Sequence, residues 1–162
     1  MNKKLLNFFI LIIALLVGLY FYKKYKVAPS MPFFTQKLIN TNGDTTNLSN
    51  YNGKKLIVTY YASWCGNCLR EMESLNEVKN SALSDVEVIA ITDEDSEKLI
   101  RFSKKSAYPF TFLRLPKPFS EINIYSIPVT YILNQKGEIV YEQVGEINWK
   151  DSSFLNHVKS LL

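Results

Sequence analysis

Residues 60–72 read YYASWCGNCLREM, and they hold both cysteines of a 162-residue chain, Cys65 and Cys68, two residues apart. Immediately upstream, Lys55 to Tyr61 (KLIVTYY) is a β-branched and aromatic run of the kind that forms a buried central strand. Downstream, Leu69, Met72, Leu75 and Val78 recur at three- or four-residue intervals with charged residues between them, so the spacing predicts a helix from Gly66. The cysteines therefore stand at a strand-to-helix junction. Unpaired N–H groups and the dipole at a helix N-terminus stabilise an anion, which favours a thiolate at Cys65. Cys68 follows nearly one turn later and can close and reopen a small disulfide ring. In that arrangement Cys65 attacks a target disulfide and Cys68 resolves the mixed disulfide. Two plainer uses compete. A structural zinc site needs two more good ligands, and the chain offers only the distant His157 and no second cysteine pair. A permanent disulfide over so short a loop removes little entropy from the unfolded chain. Redox exchange is the reading that the junction favours.

The pattern continues outward on both sides. VEVIAIT (86–92) reads as a second buried strand, and DEDSEKLIRFSKKSA (93–107), acidic at its start and basic at its end, as a helix that complements its own dipole. YPFTFLRL (108–115) is a short extended piece and PFSEINIY (118–125) a short helix or loop. IPVTYIL (127–133), opened by Pro128, turns through NQKG into EIVYEQVG (138–145) as a hairpin, and DSSFLNHVKSLL (151–162) closes the chain as a helix with an Asp or Ser cap. Before the cysteines, Asn42-Gly43-Asp44 and Asn52-Gly53 mark tight turns. The order implies an α/β layer fold with a central mixed sheet. His157 and the Lys54-Lys55 pair read as ordinary surface residues.

The first 26 residues differ from the rest. LLNFFILIIALLVGLYFY, Leu5 to Tyr22, has Asn7 as its only clearly polar side chain, and its 18 residues span roughly 27 Å as a helix, close to the hydrocarbon thickness of a bilayer. Tyr20 and Tyr22 stand where interfacial aromatics belong. The tract runs into YFYKKYKVAPS with no A-x-A-like site, which points to an uncleaved anchor over residues 1–27, with VAPSMPFF as a tether into a domain of residues 28–162. Lys3, Lys4, Lys23, Lys24 and Lys26 flank the tract. Removing those five leaves 14 basic against 15 acidic side chains, so the body is near neutral. Such a body lacks the basic patch that nucleic-acid binding requires. Charge on the two flanks is too even to orient the anchor.

Together, LIVTYYASWCGNCLREM, IYSIPVTYILNQKGEIVYEQVG and NGDTTNLSNYNGKK resemble the thioredoxin superfamily, and within it the membrane-anchored TlpA/ResA-like thiol-disulfide oxidoreductases. The resemblance covers about residues 30 to 160, and its order of Trp-Cys-x-x-Cys followed about 60 residues later by Ile-Pro-x-Thr is specific. It implies a thioredoxin-like fold, a central mixed β-sheet flanked by helices, with one transmembrane helix before it. It implies Cys65 and Cys68 as the redox-active disulfide, and a substrate groove at Trp64, Ile127 and a cis Pro128 facing the cysteines. It further implies a domain outside the cytoplasmic membrane, protein disulfides or dithiols as substrates, a membrane-borne electron donor, and no cofactor or metal. In the resembling proteins such activity often serves cytochrome c maturation. Trp64 is expected to shield the disulfide and pack locally.

Three positions depart from or refine the pattern. Asn67 replaces the usual Pro between the cysteines and restores a backbone N–H. Thr59 stands where thioredoxins carry a buried Asp and these relatives often an Asn, so a strand-borne carboxylate is absent. Glu71, three residues after Cys68 on the same helical face, is the candidate to handle protons instead, against the alternative of a solvated surface charge. A peroxiredoxin-like peroxidase would want Pro and Thr before its cysteine, which YYASWC lacks. A Sco-like copper protein would place three residues between its cysteines and add a histidine.

Overall fold

A computed structural model describes residues 3–162. After a helix α1 (Lys3–Lys26), the chain forms short strands β1 (Leu38–Ile39) and β2 (Thr45–Thr46), then β3 (Lys55–Tyr60), α2 (Gly66–Lys79), β4 (Val86–Thr92), α3 (Ser96–Ser106), β5 (Thr111–Arg114), β6 (Val129–Leu133), β7 (Ile139–Val144) and α4 (Ser152–Leu161). Two 3-10 turns lie at Leu48–Tyr51 and Phe119–Ile122. The seven strands make one mixed sheet in the order β2-β1-β5-β4-β3-β6-β7. β3, β4 and β5 run parallel, while β6 runs antiparallel to β3 and pairs with β7 as the hairpin.

Alternation along the central strands separates two cores. Ile57 and Ile132 face the side covered by α2 and α4, with Met72, Leu75, Trp149 and Val158. Leu56, Val58, Tyr60, Tyr131 and Leu133 face the other side. That second face is covered partly by residues that the sequence reading takes for a tether. Met31 and Phe33 are buried in it, the Phe33 and Tyr131 rings meet edge-on at 5.0 Å, and the Tyr131 hydroxyl donates to the Pro29 carbonyl at 2.5 Å. Burying two such side chains stabilises their position by about 1.5–3 kcal/mol each. Residues 28–34 are thus a packed strap. The β6–β7 turn closes on it, since Gly137 (φ 78°) approaches the Phe34 ring so closely that a Cβ there would meet it at 2.8 Å.

Side-chain caps define the helices. Asp95 accepts from the Lys98 N–H to start α3, which Ala107 ends in the left-handed conformation. Asp151 accepts from the N–H groups of Ser153 and Phe154 to start α4. At α2 the cap is a sulfur: Cys65 Sγ accepts from the Cys68 N–H at 3.2 Å.

Candidate active site

The end of β3 delivers the cysteines. Tyr61 N–H still bonds to the Ile91 carbonyl at 2.9 Å, and the chain then turns through Ala62–Trp64 into α2. Cys65 and Cys68 are joined in a disulfide with their Cα atoms 5.3 Å apart. Cys68 is fully covered, whereas Cys65, largely buried, keeps 8% of its surface exposed and is the more accessible of the two. Across from it, Cys65 Sγ lies 3.9 Å from the carbonyl oxygen of Ile127, and the Ile127–Pro128 peptide bond is cis.

Trp64 lies elsewhere than expected. The residue is 75% exposed rather than packed into the domain. The preceding residue is fixed to the neighbouring strand end, since Ser63 gives its N–H and hydroxyl to the Glu94 carboxylate at 2.6 and 2.9 Å. Trp64 and Ile127 instead border a shallow cleft of about 310 Å³, with Phe119, Ser120 and Tyr125 along it. The floor of the cleft is anchored by Asp93, which accepts from the Phe119 N–H at 2.9 Å.

Glu71 is buried, with 1% of its surface exposed. α2 lies over β3 and β6 where Thr59 and Thr130 are paired in register, and the carboxylate rests on those two hydroxyls. Thr130 donates to Glu71 Oε1 at 2.5 Å, Thr59 approaches the same oxygen at 3.4 Å, and the two threonine oxygens are 3.0 Å apart. Glu71 Oε2 accepts from the Ile147 N–H at 2.9 Å. Burial pushes the Glu71 carboxyl up to about 7, helped by the neighbouring Glu146 carboxylate, while the hydrogen bonds from Thr130, Ile147 and Thr59 pull the other way. A carboxyl group poised near neutrality, one turn beyond Cys68, can hold or release a proton where the pair exchanges electrons.

Above the motif, Arg70 spans the two intervening residues and the loop after β7. Its guanidinium donates to Asn67 Oδ1 at 2.5 Å and pairs with Glu146 at 2.7 Å, and its Nη1 lies over Gly66. Glu94 and the Arg70–Glu146 bridge are features the sequence reading does not find. The acidic start of residues 93–107 reads as a helix signal, a role that Asp95 fills, whereas Glu94 points back to the neighbouring strand end. His157 is exposed on α4.

A family model described as Redoxin matches residues 26–158. The chain is 30% identical over 125 residues to Thioredoxin-like protein YneN of Bacillus subtilis, across 74% of this chain and 72% of that protein. It is 26% identical over 156 residues to Sporulation thiol-disulfide oxidoreductase A of the same organism, across 90% of this chain and 92% of that one. The solution structure of a thioredoxin-like protein from Porphyromonas gingivalis matches with a TM-score of 0.65 at 24% identity, covering 77% of this chain and 88% of that chain, which is a likeness of fold.

Proposed function

Because the chain belongs to the Redoxin family, we propose that it is an anchored thiol-disulfide oxidoreductase that reduces protein disulfides outside the cytoplasmic membrane through Cys65 and Cys68. One observation carries the reading: of the two cysteines at the α2 N-terminus, Cys65 is the one that keeps some exposed surface, with its sulfur 3.9 Å from the Ile127 carbonyl oxygen, while Cys68 is fully buried. In the reduced protein, the Cys65 thiolate attacks a client disulfide, forming a mixed disulfide and expelling one client thiolate. Cys68 then attacks Cys65 Sγ, which breaks the mixed disulfide, releases the second client thiolate and leaves the Cys65–Cys68 disulfide. Two electrons pass to the client, and a membrane-borne dithiol donor returns them to the pair. An extended client lies along the cleft between Trp64 and Ile127, beside Pro128. Glu71 supplies or accepts the proton of the buried Cys68.

Support for the anchor comes from α1, a 24-residue helix of mean hydropathy 2.5 over its apolar window, with none of that window buried in the protein. Reduction of cysteines ahead of haem attachment in cytochrome c maturation is the client class carried by the resemblance. It predicts that loss of the protein lowers haem-stained c-type cytochromes and that added thiol restores them. The direct test of the chemistry is trapping. Cys68→Ser should accumulate mixed disulfides with client proteins and Cys65→Ser should not. Traps formed only by the Cys65 variant would reverse the roles.

A further inference from the structure

We propose that the junction of α1 with the domain is a binding site for the phosphate of an anionic phospholipid, held by Lys23 and Lys24 from the helix and by Asn123 and Tyr125 from the domain. The inference rests on reading α1 as a membrane anchor. A cavity of about 460 Å³ lies at this junction, lined by those four residues together with Tyr20 and Val27 among others, and among the described residues no acidic side chain lines it. That volume is within the range of ordinary small-ligand pockets.

The depth is right for a headgroup. If Leu5 to Tyr22 crosses the hydrocarbon, Lys23 and Lys24 fall in the next half-turn, level with the phosphate layer. The ammonium of Lys24 is also held in place. Its Nζ lies 4.5 Å from the Tyr125 ring centre, 5.6 Å from that of Tyr25 and 5.9 Å from that of Tyr20, a cage of π-faces that orients the cation. On the domain side, Asn123 adopts the left-handed conformation (φ 62°), and its Oδ1 takes the Tyr125 hydroxyl at 3.5 Å, which leaves its amide N–H groups to donate. The strap that follows the helix is fixed to the domain, since Pro29 accepts from Tyr131 while Met31 and Phe33 are buried, and the Tyr25 and Tyr125 rings meet edge-on at 6.2 Å across the junction. The cavity wall is aromatic and apolar beside its cations, which suits a lipid headgroup with its glycerol better than a free hydrated anion.

The position of Tyr125 gives the site a consequence for the chemistry. It lines both this cavity and the cleft that Trp64 and Ile127 border. A lipid phosphate seated here holds the redox cleft against the membrane surface.

The test uses the full chain in nanodiscs containing equal phosphatidylglycerol and phosphatidylcholine, with retained lipid read by native mass spectrometry. Phosphatidylglycerol should be retained in preference, and Lys24→Gln should weaken that retention by more than the roughly fivefold that any one lysine near an anionic surface contributes. Asn123→Gly keeps the backbone conformation and the charge, and it too should weaken retention. Lys26→Gln, outside the cavity, should not match the Lys24 variant. An equal loss in Lys24→Gln and Lys26→Gln, or no loss in Asn123→Gly, would reduce the effect to general surface charge and overturn the site. Displacement of the lipid by inorganic phosphate would overturn the lipid assignment. Release of the chain from vesicles by an alkaline carbonate wash would instead remove the anchor reading, independently of any lipid preference.

Discussion

Replacing Glu71 with Gln separates the charge of the buried carboxylate from its shape. The site can seat a Gln: the amide oxygen can take the Ile147 N–H, and the NH2 group can donate to Thr130 Oγ1, whose own hydrogen then serves Thr59. The magnitude follows from the titration. The gap between an ordinary value of 4.5 and about 7 corresponds to roughly 3 kcal/mol at ~1.4 kcal/mol per pKa unit, with little discount for solvent because the side chain is almost fully covered. Below 4.5 the carboxyl is protonated in both folded and unfolded chains and costs nothing differential. As pH rises from 4.5 to about 7 the unfolded chain loses its proton first. The folded state then binds more protons than the unfolded one, so stability falls across that window and levels off above it.

The assay is urea unfolding of the oxidised full chain in detergent, followed by the fluorescence of the buried Trp149, across a pH series. Slopes from all other groups cancel in the difference between variant and parent. That difference should grow by roughly 3 kcal/mol in favour of Glu71→Gln from pH 4.5 to about 8, on top of a pH-independent offset of about 1 kcal/mol against the variant for imperfect amide hydrogen bonds. In the reduced protein the same variant should lower the apparent thiol pKa and flatten the pH profile of disulfide reduction, because an ionised Glu71 opposes a second negative charge on the pair. Glu73→Gln, on the exposed face of α2, is the control. A pH-independent difference, or the same trend in the Glu73 variant, would refute the account.

Thr130→Val removes the donor that lies 2.5 Å from Glu71 Oε1, so the carboxyl should titrate higher still by side-chain carbon NMR, with a stability loss of about 1–3 kcal/mol once Glu71 ionises; an unchanged titration would deny that bond its part. Trp64→Ala alters a side chain that is 75% exposed, so stability should move by no more than about 0.5 kcal/mol while KM for a protein disulfide rises. Unchanged KM would take Trp64 out of the cleft. Protease added to intact spheroplasts should digest the domain, whereas protection equal to that of a cytoplasmic marker would invert the topology.

The strand and helix that carry the cysteines are legible because each has its own pattern over many residues: KLIVTY is rich in β-branched and aromatic residues and buried from Leu56 onward, and α2 repeats at helical spacing. β1 and β2 are two residues each and exist only through pairing with one another and with β5, so no local pattern announces them. The strap is misread for a related reason. Pro29 and Pro32 look like linker punctuation, and burial of Met31 and Phe33 depends on a sheet face built from residues 56–60 and 129–133. Helical spacing places Glu71 on the face of Cys68, but it says nothing of depth. Depth comes from Thr59, Thr130 and Ile147, which lie 12, 59 and 76 residues away along the chain.

Those three contacts also show how a buried carboxylate is accommodated beside a threonine at position 59. A carboxylate on β3 would be held by the sheet alone. On α2 it is held by both sides of the site, because Thr130 follows Pro128 by two residues on β6 and Ile147 follows Glu146, the partner of Arg70. Arg70 in turn holds Asn67 between the cysteines. When Glu71 ionises, the hydrogen bond from Thr130 and that from Ile147 both strengthen, as bonds to a charged acceptor do. The Glu71 carboxylate is therefore tied at once to the strand that faces Cys65 and, through Ile147 next to Glu146, to the loop that carries the bridge over the Cys65–Cys68 turn; an acid at residue 59 would share the first connection through Thr130 but not the second.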